Sequence, residues 1–206
     1  MTSGFYQQKQ GLFDRWANFY DVTLTSVFYQ AIHRRLSESI VLPERAELLD
    51  LGCGTGKLLN RLAQQRSDAT GLGIDLSPVM VDQAQRACIA PERLRYQVGN
   101  AAALDLPGER FDAIFNTITF LHYPEPERVL SQISRLLKPQ GCYYLADFAP
   151  RWAQEPEVMA QGISPIRFYS PAVRAQLGAQ AGLRVVQQTW LLGPVLLTGF
   201  ALQDQR

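Results

Sequence analysis

The segment LLDLGCGTG, residues 48–56, constrains the fold more than any other part of the chain. Its leucines are typical of a parallel strand that is buried on both faces. Leucines spaced as on one face of a helix begin at Leu58. Between them, Gly52, Gly54 and Gly56 permit positive φ angles and let a ligand approach the backbone, while the following helix begins with free N–H groups. The order strand, glycine turn, helix predicts a ligand-binding α/β unit.

The glycine spacing and the position of Asp50 separate three nucleotide-type ligands. A phosphate-binding P-loop requires Gly, four residues and then Gly-Lys-Ser/Thr, but Leu51 occupies the first position and Leu58 the last. The dinucleotide fingerprint G-x-G-x-x-G is also absent, because Lys57 stands where its third glycine should be. The Asp50 carboxylate would repel a pyrophosphate, whereas it attracts the ammonium of S-adenosylmethionine directly or through water. The segment therefore favours S-adenosylmethionine.

A second carboxylate, Asp75, ends the next predicted strand, TGLGID at residues 70–75. Its position suits hydrogen bonds from both ribose hydroxyls of a bound nucleoside. NAD would require the same residue, so Asp75 alone does not distinguish the two ligands. Ser77 and Pro78 predict the start of a helix, as its cap and first residue. Met80 on that helix is expected either to touch the adenine or to pack in the core.

Taken together, these segments make the chain resemble the class I S-adenosylmethionine-dependent methyltransferases, of the small type 11 kind related to the menaquinone and ubiquinone C-methyltransferases. The matching segments follow the family's order: LLDLGCGTG, GIDLSPVM at 73–80, VGNAAALDLPGERFDAIFN at 98–116 and RLLKPQGCYYLADF at 135–148. The resemblance implies an α/β fold, a single Rossmann-like, doubly wound sheet of seven strands, mostly parallel with an antiparallel C-terminal strand, plus N-terminal lid helices. It also implies one methyltransferase domain over residues 1–206: a helical lid at 1–42, a cofactor-binding core at 46–148, and an acceptor-pocket insertion with a C-terminal helix and hairpin at 149–206.

The resemblance further implies a set of contacts to S-adenosylmethionine. The glycine turn and Asp50 would hold its methionine portion, Asp75 its ribose, and Asn100 with Ala101 its adenine. The complete predicted set is Tyr20, Asp50, Gly52, Cys53, Gly54, Gly56, Asp75, Leu76, Met80, Asn100, Ala101 and Asn116. Asn100 departs from the family, most of whose members carry Asp there. Its amide oxygen can accept from the adenine amino group but brings no charge, which predicts lower affinity with retained specificity.

The loop after the fourth predicted strand, residues 116–127, holds the candidate catalytic group, because ligands bind at the carboxyl ends of strands in an open α/β sheet. His122 is the candidate general base for an oxygen, nitrogen or activated carbon nucleophile. The alternative is that it packs against the next helix and bonds a carbonyl. The Asn-Pro-Pro-Tyr motif of nucleic-acid amino methyltransferases is absent, which disfavours methylation of DNA or amides.

Predicted contacts to the methyl acceptor come from the N-terminal region, this loop and the segment after the fifth strand. They are Phe28, Thr117, Tyr123, Arg167 and Tyr169, with Arg167 suited to a carboxylate. For the last of these an ordinary alternative stays open, because Tyr-Ser-Pro at 169–171 is also typical of a helix start.

Apolar residues at helical spacing mark the first forty residues as a candidate lid: Phe13, Trp16, Phe19, Tyr20, Leu24, Val27, Phe28 and Ile32. Two interpretations stay open, namely helices that simply pack on the sheet edge, and helices that close over the sulfonium and build the acceptor pocket. The pair Tyr20-Asp21 matches a Tyr-Asp pair in type 11 relatives, so Tyr20 is the preferred cofactor contact there. His33, followed by two arginines, is expected on the solvated surface.

The amino-acid composition limits which partners the chain is expected to bind and where in the cell it is expected to lie. A length of 206 residues with 47% hydrophobic content fits one domain, and a net charge of +1 gives no field that would attract nucleic acid or an acidic membrane. The longest apolar stretch, residues 190–202, is interrupted by Gly193 and Pro194, and it is shorter than the roughly 20 residues of a bilayer span. Without a signal-peptide pattern, a cytoplasmic protein with no transmembrane segment is expected, as a monomer or homodimer. The three cysteines lack C-x-x-C spacing, so no disulfide scaffold and no metal site is expected.

The sequence thus predicts an S-adenosylmethionine-dependent methyltransferase that moves a methyl group by in-line displacement to a small-molecule acceptor, aromatic or otherwise apolar, and releases S-adenosylhomocysteine. One alternative is a non-catalytic protein that binds S-adenosylmethionine or S-adenosylhomocysteine as a regulatory or partner subunit, which Asn100 and the sparse catalytic groups permit. A second alternative, an NAD-dependent oxidoreductase, is disfavoured by the glycine spacing.

Overall fold

The computed structural model describes residues 24–108, 110–149, 157–161 and 164–204 of the chain. Five helices are described: α1 Leu24–Glu38, α2 Lys57–Gln65, α3 Pro78–Arg86, α4 Pro126–Leu136 and α5 Pro171–Gln180. Nine strands are described with them: β1 Glu47–Leu51, β2 Thr70–Asp75, β3 Leu94–Val98, β4 Phe111–Thr117, β5 Leu137–Phe148, β6 Glu157–Gln161, β7 Ser164–Phe168, β8 Leu183–Leu192 and β9 Val195–Leu202. A short 3₁₀ turn, Phe120–His122, follows β4.

Seven of the strands form one sheet in the order β3-β2-β1-β4-β5-β9-β8. Neighbouring strands from β3 across to β5 pair in parallel, whereas β9 pairs antiparallel with both β5 and β8. The strand order reverses at β1, so the carboxyl ends of β1 and β4 bound the crevice in which ligands bind to such sheets. The predicted seven-stranded, mostly parallel sheet with an antiparallel C-terminal strand is confirmed.

Two of the described helices, α3 and α5, begin at a serine whose side chain caps the first turn. Ser77 accepts a hydrogen bond from the Met80 N–H at 3.2 Å, and Pro78 fills the first helical position. Ser170 caps α5 in the same way, through the N–H of Val173 at 3.3 Å. The apolar face of α2 is Leu58, Leu59, Leu62 and Ala63, all buried.

Hydrophobic residues cover both faces of the sheet. Side chains alternate between the faces along a strand, so Leu48 belongs to one buried cluster and Leu49 to the other. Ile32 and Leu36 of α1 belong to the first cluster, and both are fully buried. Val27, predicted on the apolar face of this helix, is 67% exposed instead, because only one side of α1 meets the sheet. The other predicted face residues Phe13, Trp16, Phe19 and Tyr20 lie outside the described residues.

The segment after β5 contains structure that the sequence did not indicate. Strands β6 and β7 form a separate two-stranded antiparallel ribbon, where the sequence predicted an acceptor-pocket insertion without assigning strands to it. Phe168 at the end of β7 packs edge-on against Phe148, with ring centroids 6.4 Å apart, which joins the ribbon to the end of β5. In the described part of the chain, no helix has the length and apolar character needed to cross a bilayer.

Arg174 on α5 is buried almost completely and ties the C-terminal part of the chain to the sheet. Its guanidinium donates to the carbonyl oxygens of Tyr169 at 3.0 Å, Leu196 at 2.9 Å and Asp147 at 2.9 Å. The Asp147 carboxylate is buried nearby and offsets the charge, while burial holds the Arg174 pKa below its usual range, at about 10. Removing the hydrogen-bond partners of this buried guanidinium would lower the free energy of unfolding.

Candidate functional site

A cleft lies across the carboxyl ends of β1, β2 and β4 and the loop after β3. The residues that line it come from α1, the glycine turn, the ends of these strands and the 3₁₀ turn: Tyr29, His33, Asp50, Gly52, Cys53, Gly54, Thr55, Lys57, Ile74, Asp75, Leu76, Met80, Gly99, Asn100, Ala101, Thr117, Ile118, Thr119, His122, Tyr123 and Pro124. Side chains from segments far apart in the sequence therefore share one cleft at the topological switch point of the sheet.

The glycine turn forms the floor of this cleft. Gly52, Gly54 and Gly56 all have positive φ, at 73°, 52° and 76°. A Cβ on Gly52 would lie 2.6 Å from the Thr119 side chain, and one on Gly56 would lie 2.8 Å from the ring of Tyr96. A Cβ on Gly54 would meet nothing within 4 Å. Gly52 and Gly56 thus allow the turn to pack, and Gly54 leaves backbone open to the cleft where a ligand can lie against it.

Asp75 ends β2 and already organises the turn. One carboxylate oxygen accepts from the N–H of Gly54 at 2.8 Å, and the other accepts from the N–H of Ser77 at 2.9 Å. These bonds fix the side chain at the end of β2, where Asp75 lines the cleft. This arrangement is compatible with the ribose role expected from the sequence.

Asp50 lies beneath the glycine turn, only 2% exposed. Burial, with a smaller contribution from the negative charge of Asp75, raises the pKa of Asp50 to about 8. Burial together with the charges of Asp50 and Asp75 also raises the pKa of the Cys53 thiol well above its usual range. The floor of the cleft thus holds two carboxylates in a site that penalises negative charge, and a cation would relieve this penalty.

The far end of the cleft is formed by the loop after β3 and by α3. The Asn100 side-chain oxygen accepts from the N–H of Ala102 at 2.9 Å, which closes a local turn. The Asn100 oxygen, which was expected to accept from an adenine amino group, therefore already accepts one hydrogen bond within the loop. Met80 lines the cleft and is 4% exposed, so it both packs in the core and forms cleft wall.

The opposite wall begins where β4 ends. Ile118 has φ at 52°, a left-handed conformation that a β-branched residue adopts only under strain. Its N–H donates to the carbonyl of Ala146 at 2.8 Å, so neighbouring β5 holds this conformation in place. The following 3₁₀ turn is held by Asp147, whose carboxylate accepts from the N–H of Leu121 at 2.9 Å. These contacts place His122 and Tyr123 on the cleft wall.

Asn116, predicted as a cofactor contact, is fully buried behind the wall and does not line the cleft. Its amide nitrogen donates to the Leu51 carbonyl at 2.6 Å and to the Tyr123 hydroxyl at 2.8 Å, and its oxygen accepts from the Tyr143 hydroxyl at 3.0 Å. Burial raises the pKa of Tyr123 above its usual range. The Tyr123 hydroxyl also has a hydrogen bond with the Thr119 side chain. Asn116 and Thr119 together therefore hold a neutral Tyr123 in place on the cleft wall.

Most of the other predicted site residues line the cleft, and four do not. Gly56 packs behind the turn, and Phe28 stacks on Phe148 with centroids 6.1 Å apart. Arg167 donates to the Pro124 carbonyl at 3.2 Å, and Tyr169 packs edge-on against Phe120 at 5.4 Å. These last two residues support the 3₁₀ turn from behind. The remaining prediction, Tyr20, lies outside the described residues.

Sequence reasoning missed part of the cleft wall, above all His33. Expected on the solvated surface, His33 instead lines the cleft, and its Nδ1 is buried with no hydrogen-bond partner among the described residues. Burial and the positive charges of Arg61 and Lys57 lower the His33 pKa to about 3. The available signal was its spacing from Tyr29, since residues four apart share one side of a helix.

One further polar atom on the cleft wall lacks a partner. The buried Thr117 hydroxyl has no hydrogen bond within the described residues. Buried polar groups are nearly always hydrogen-bonded, so an unpaired one on a cleft wall indicates a place where a ligand can form a hydrogen bond. Among the described residues, no group of three or more His, Cys, Asp or Glu side chains is arranged to hold a metal ion.

Comparisons with known proteins agree with this geometry. Residues 48–141 match a family model described as a methyltransferase domain. The chain is 30% identical over 183 residues to nocamycin O-methyltransferase of Saccharothrix syringae, covering 82% of this chain and 64% of that protein. It is 32% identical over 141 residues to demethylmenaquinone methyltransferase of Tropheryma whipplei, covering 67% of this chain and 58% of that protein. The chain thus spans less than two thirds of the length of these two relatives.

The same fold is found in solved structures. The methyltransferase solved in complex with the Haloferax volcanii Trm112 methyltransferase activator superimposes with a TM-score of 0.78 at 22% identity, and the match covers 93% of this chain and 98% of that one. At this level of identity the likeness concerns the fold.

Proposed function

Because residues 48–141 belong to the methyltransferase-domain family, we propose that the chain is an S-adenosylmethionine-dependent methyltransferase that acts on a small-molecule acceptor. The acceptor is aromatic or otherwise apolar, and the methyl group moves by in-line displacement. The relatives it matches are named for nocamycin O-methylation and for demethylmenaquinone methylation, so both oxygen and carbon acceptors belong to the range to be tested.

The observation that carries this proposal is the pairing of two carboxylates with an open glycine backbone. Asp50 and Asp75 lie at the ends of adjacent strands, and the position of a Cβ on Gly54 is empty toward the cleft. A pyrophosphate in this place would face the negative charge of Asp75 and would oppose ionisation of Asp50, whereas a ligand with an ammonium and a sulfonium would be attracted. The buried position of Asp50 strengthens the preference, because a nearby cation stabilises its charged form.

The residues present fit S-adenosylmethionine along the whole cleft. Asp50 and the backbone of Gly52 and Gly54 would hold the methionine portion, and Asp75 would accept from the ribose hydroxyls. Met80, on the loop side of the cleft, would pack on the adenine. The Asn100 oxygen, which already accepts from the Ala102 N–H at 2.9 Å, would accept the adenine amino group with its second lone pair.

S-adenosylmethionine supplies the methyl group together with a sulfur that leaves without further activation. The chain therefore contributes alignment, an effect worth up to roughly 7 to 11 kcal/mol when two reactants are held in line. The Tyr123 hydroxyl, held by Asn116 at 2.8 Å, would exchange its hydrogen bond with Thr119 for one to an oxygen or nitrogen of the acceptor. His122, on the same wall, would take the proton of a nucleophile that must lose one. The raised pKa of Tyr123 excludes it as the base at neutral pH.

Apolar side chains on this side of the cleft support the acceptor class. Ile118 and Pro124 line the wall beside Tyr123, and the ring of Phe120 packs edge-on behind it at 5.7 Å. Flat or apolar molecules bind such surfaces, and a few polar groups then fix their orientation. The buried Thr117 hydroxyl supplies one more polar group at this end.

Calorimetric titration of the purified chain with S-adenosylmethionine, S-adenosylhomocysteine and NAD tests the first half of the proposal. We expect binding of the first two and none of NAD; binding of NAD alone, or of none of the three, would overturn it. Product S-adenosylhomocysteine is then measured with panels of phenols, hydroxyquinones and enolic metabolites. Tight binding without turnover on any panel would favour the regulatory or partner-protein alternative.

A further inference from the structure

We propose that His33 is the residue that receives the carboxylate of the amino-acid portion of the ligand, and that it sets the preference of the cleft for ligands that carry this carboxylate. The inference rests on the proposed function and deepens it, by giving a role to a side chain that the glycine-turn pattern does not include. Three features of the structure support it: the fixed position of α1, the buried Nδ1, and the distribution of charge around it.

The position of His33 is fixed by the packing of its helix. Ile32 and Leu36 are fully buried in the core on one side of α1. The Arg35 guanidinium donates to the Leu191 carbonyl at 2.7 Å, which holds the helix against β8. With the helix anchored in this way, Tyr29 and His33 lie four residues apart on one side of it, and both line the cleft.

The Nδ1 atom of His33 is a buried polar atom without a partner in the described part of the chain. Buried polar atoms are nearly always paired, so this atom indicates a place where a ligand can bond. Neutral imidazole carries one N–H donor and one acceptor, so a ligand oxygen in the cleft can accept from it. The Thr117 hydroxyl, the other unpaired polar atom on the cleft wall, lies at the end of β4 and not on α1. It therefore belongs to the acceptor side.

The charges around His33 select an anionic partner. Lys57 also lines the cleft, and the positive charges of Lys57 and Arg61 both act on His33. The glycine turn leads directly into α2, which begins at Lys57 and whose first N–H groups point toward the turn. The Asp50 carboxylate lies below this turn. An amino acid has one group of each sign, so its ammonium fits Asp50 and its carboxylate fits the part of the cleft that His33 and Lys57 line.

The test compares two ligands that differ only in the carboxylate: S-adenosylhomocysteine and decarboxylated S-adenosylhomocysteine, titrated by calorimetry into the wild type and variants. His33→Ala is expected to weaken S-adenosylhomocysteine binding about 10- to 100-fold, as for loss of a hydrogen bond to a charged group, and to leave the decarboxylated ligand unchanged. His33→Asn keeps an N–H near the position of Nδ1, so it should recover much of the lost affinity. Arg34→Ala is the matched control, since Arg34 is exposed and pairs with Glu38 at 2.9 Å.

Three results would overturn the inference. Equal losses for both ligands in His33→Ala would show a structural role of the helix, and no loss for either would show that His33 does not touch the amino-acid portion. A change confined to the KM of the methyl acceptor would assign His33 to the other substrate. Failure of the proposed function is distinguishable, because in that case the wild type itself binds neither ligand.

Discussion

Ligand binding should release a proton from Asp50, and Asp50→Asn should abolish this release. The carboxyl group is 2% exposed, and its pKa is raised to about 8 by burial and by Asp75. At pH 6.5 the unliganded protein therefore carries the proton on Asp50. Binding an ammonium next to it favours the charged carboxylate, so the pKa falls and the proton leaves.

The magnitude follows from the raised pKa. With a pKa of about 8, the protonated fraction is about 0.97 at pH 6.5, so binding should release about one proton. If the ligand binds only when Asp50 is ionised, the affinity for S-adenosylhomocysteine should rise about tenfold from pH 6 to pH 7. The α-amino group of the ligand, with a typical pKa of about 7.7 to 8.0, stays mostly charged over this range.

The assay is titration with S-adenosylhomocysteine at pH 6.5 in buffers of different ionisation enthalpy, which gives the number of protons released. Asp50→Asn is nearly isosteric and should bind more weakly, with no proton release and an affinity that does not change between pH 6 and pH 7. Zero release from the wild type, or equal release from both proteins, would refute the reasoning.

Thermal unfolding supplies the control for this variant. The pKa of Asp50 is higher in the folded chain than in the unfolded one, so the folded state binds more protons between about pH 4 and pH 8. The contribution of Asp50 to the free energy of unfolding is therefore present at low pH and is lost as pH rises toward 8. Asp50→Asn should raise the melting temperature of the unliganded protein at pH 8, which separates weak binding from poor folding.

Four further substitutions test other parts of the site and its supports. Gly56→Ala forces a Cβ to within 2.8 Å of the Tyr96 ring, whereas the Cβ of Gly54→Ala enters open cleft. Gly56→Ala should therefore lower the melting temperature more, and Gly54→Ala should mainly weaken S-adenosylhomocysteine binding. A lower melting temperature for Gly54→Ala than for Gly56→Ala would contradict this division of roles. His122→Ala should spare S-adenosylhomocysteine binding and lower turnover about 100-fold or more, and full turnover would remove His122 from the mechanism. Both Asp147 carboxylate oxygens accept from backbone N–H groups, of Leu121 at 2.9 Å and Phe148 at 2.7 Å. Asp147→Asn puts an amide NH2 against one of these donors and should cost about 1 to 3 kcal/mol in chemical denaturation, whereas an unchanged midpoint would show that this carboxyl is not needed.

The sheet and the glycine turn could be predicted from the sequence because their signals are local. The leucine run before Gly52 predicted the first strand, and Ser77 with Pro78 predicted the start of α3 at Pro78. In each case a few neighbouring residues determine the backbone, through burial, capping or φ preference. The ribbon of β6 and β7 gave no such signal, since Glu157–Gln161 lacks the alternating pattern of a half-buried strand.

The orientation of side chains around the cleft could not be predicted as well, because it depends on contacts between distant segments. Asn116 ends a predicted strand, yet its amide nitrogen donates a hydrogen bond to the Leu51 carbonyl, 65 positions away in the sequence. His33 follows the fully buried Ile32, and its place in the cleft depends on the bond from Arg35 to Leu191, 156 positions away. Neither contact has a sequence pattern that a single chain reveals.

Two buried side chains, Asp147 and Arg174, support the 3₁₀ turn and its strand, and they limit which segments can be exchanged between related proteins. The family match ends at residue 141, but the turn that carries His122 is fixed by Asp147, and Arg174 joins that strand to α5 and β9. A chimera that transplants only the matched segment would separate the cleft wall that carries His122 from its supports. Grafting a new acceptor specificity onto this scaffold therefore requires moving residues 118–124 together with the C-terminal segment that packs behind them.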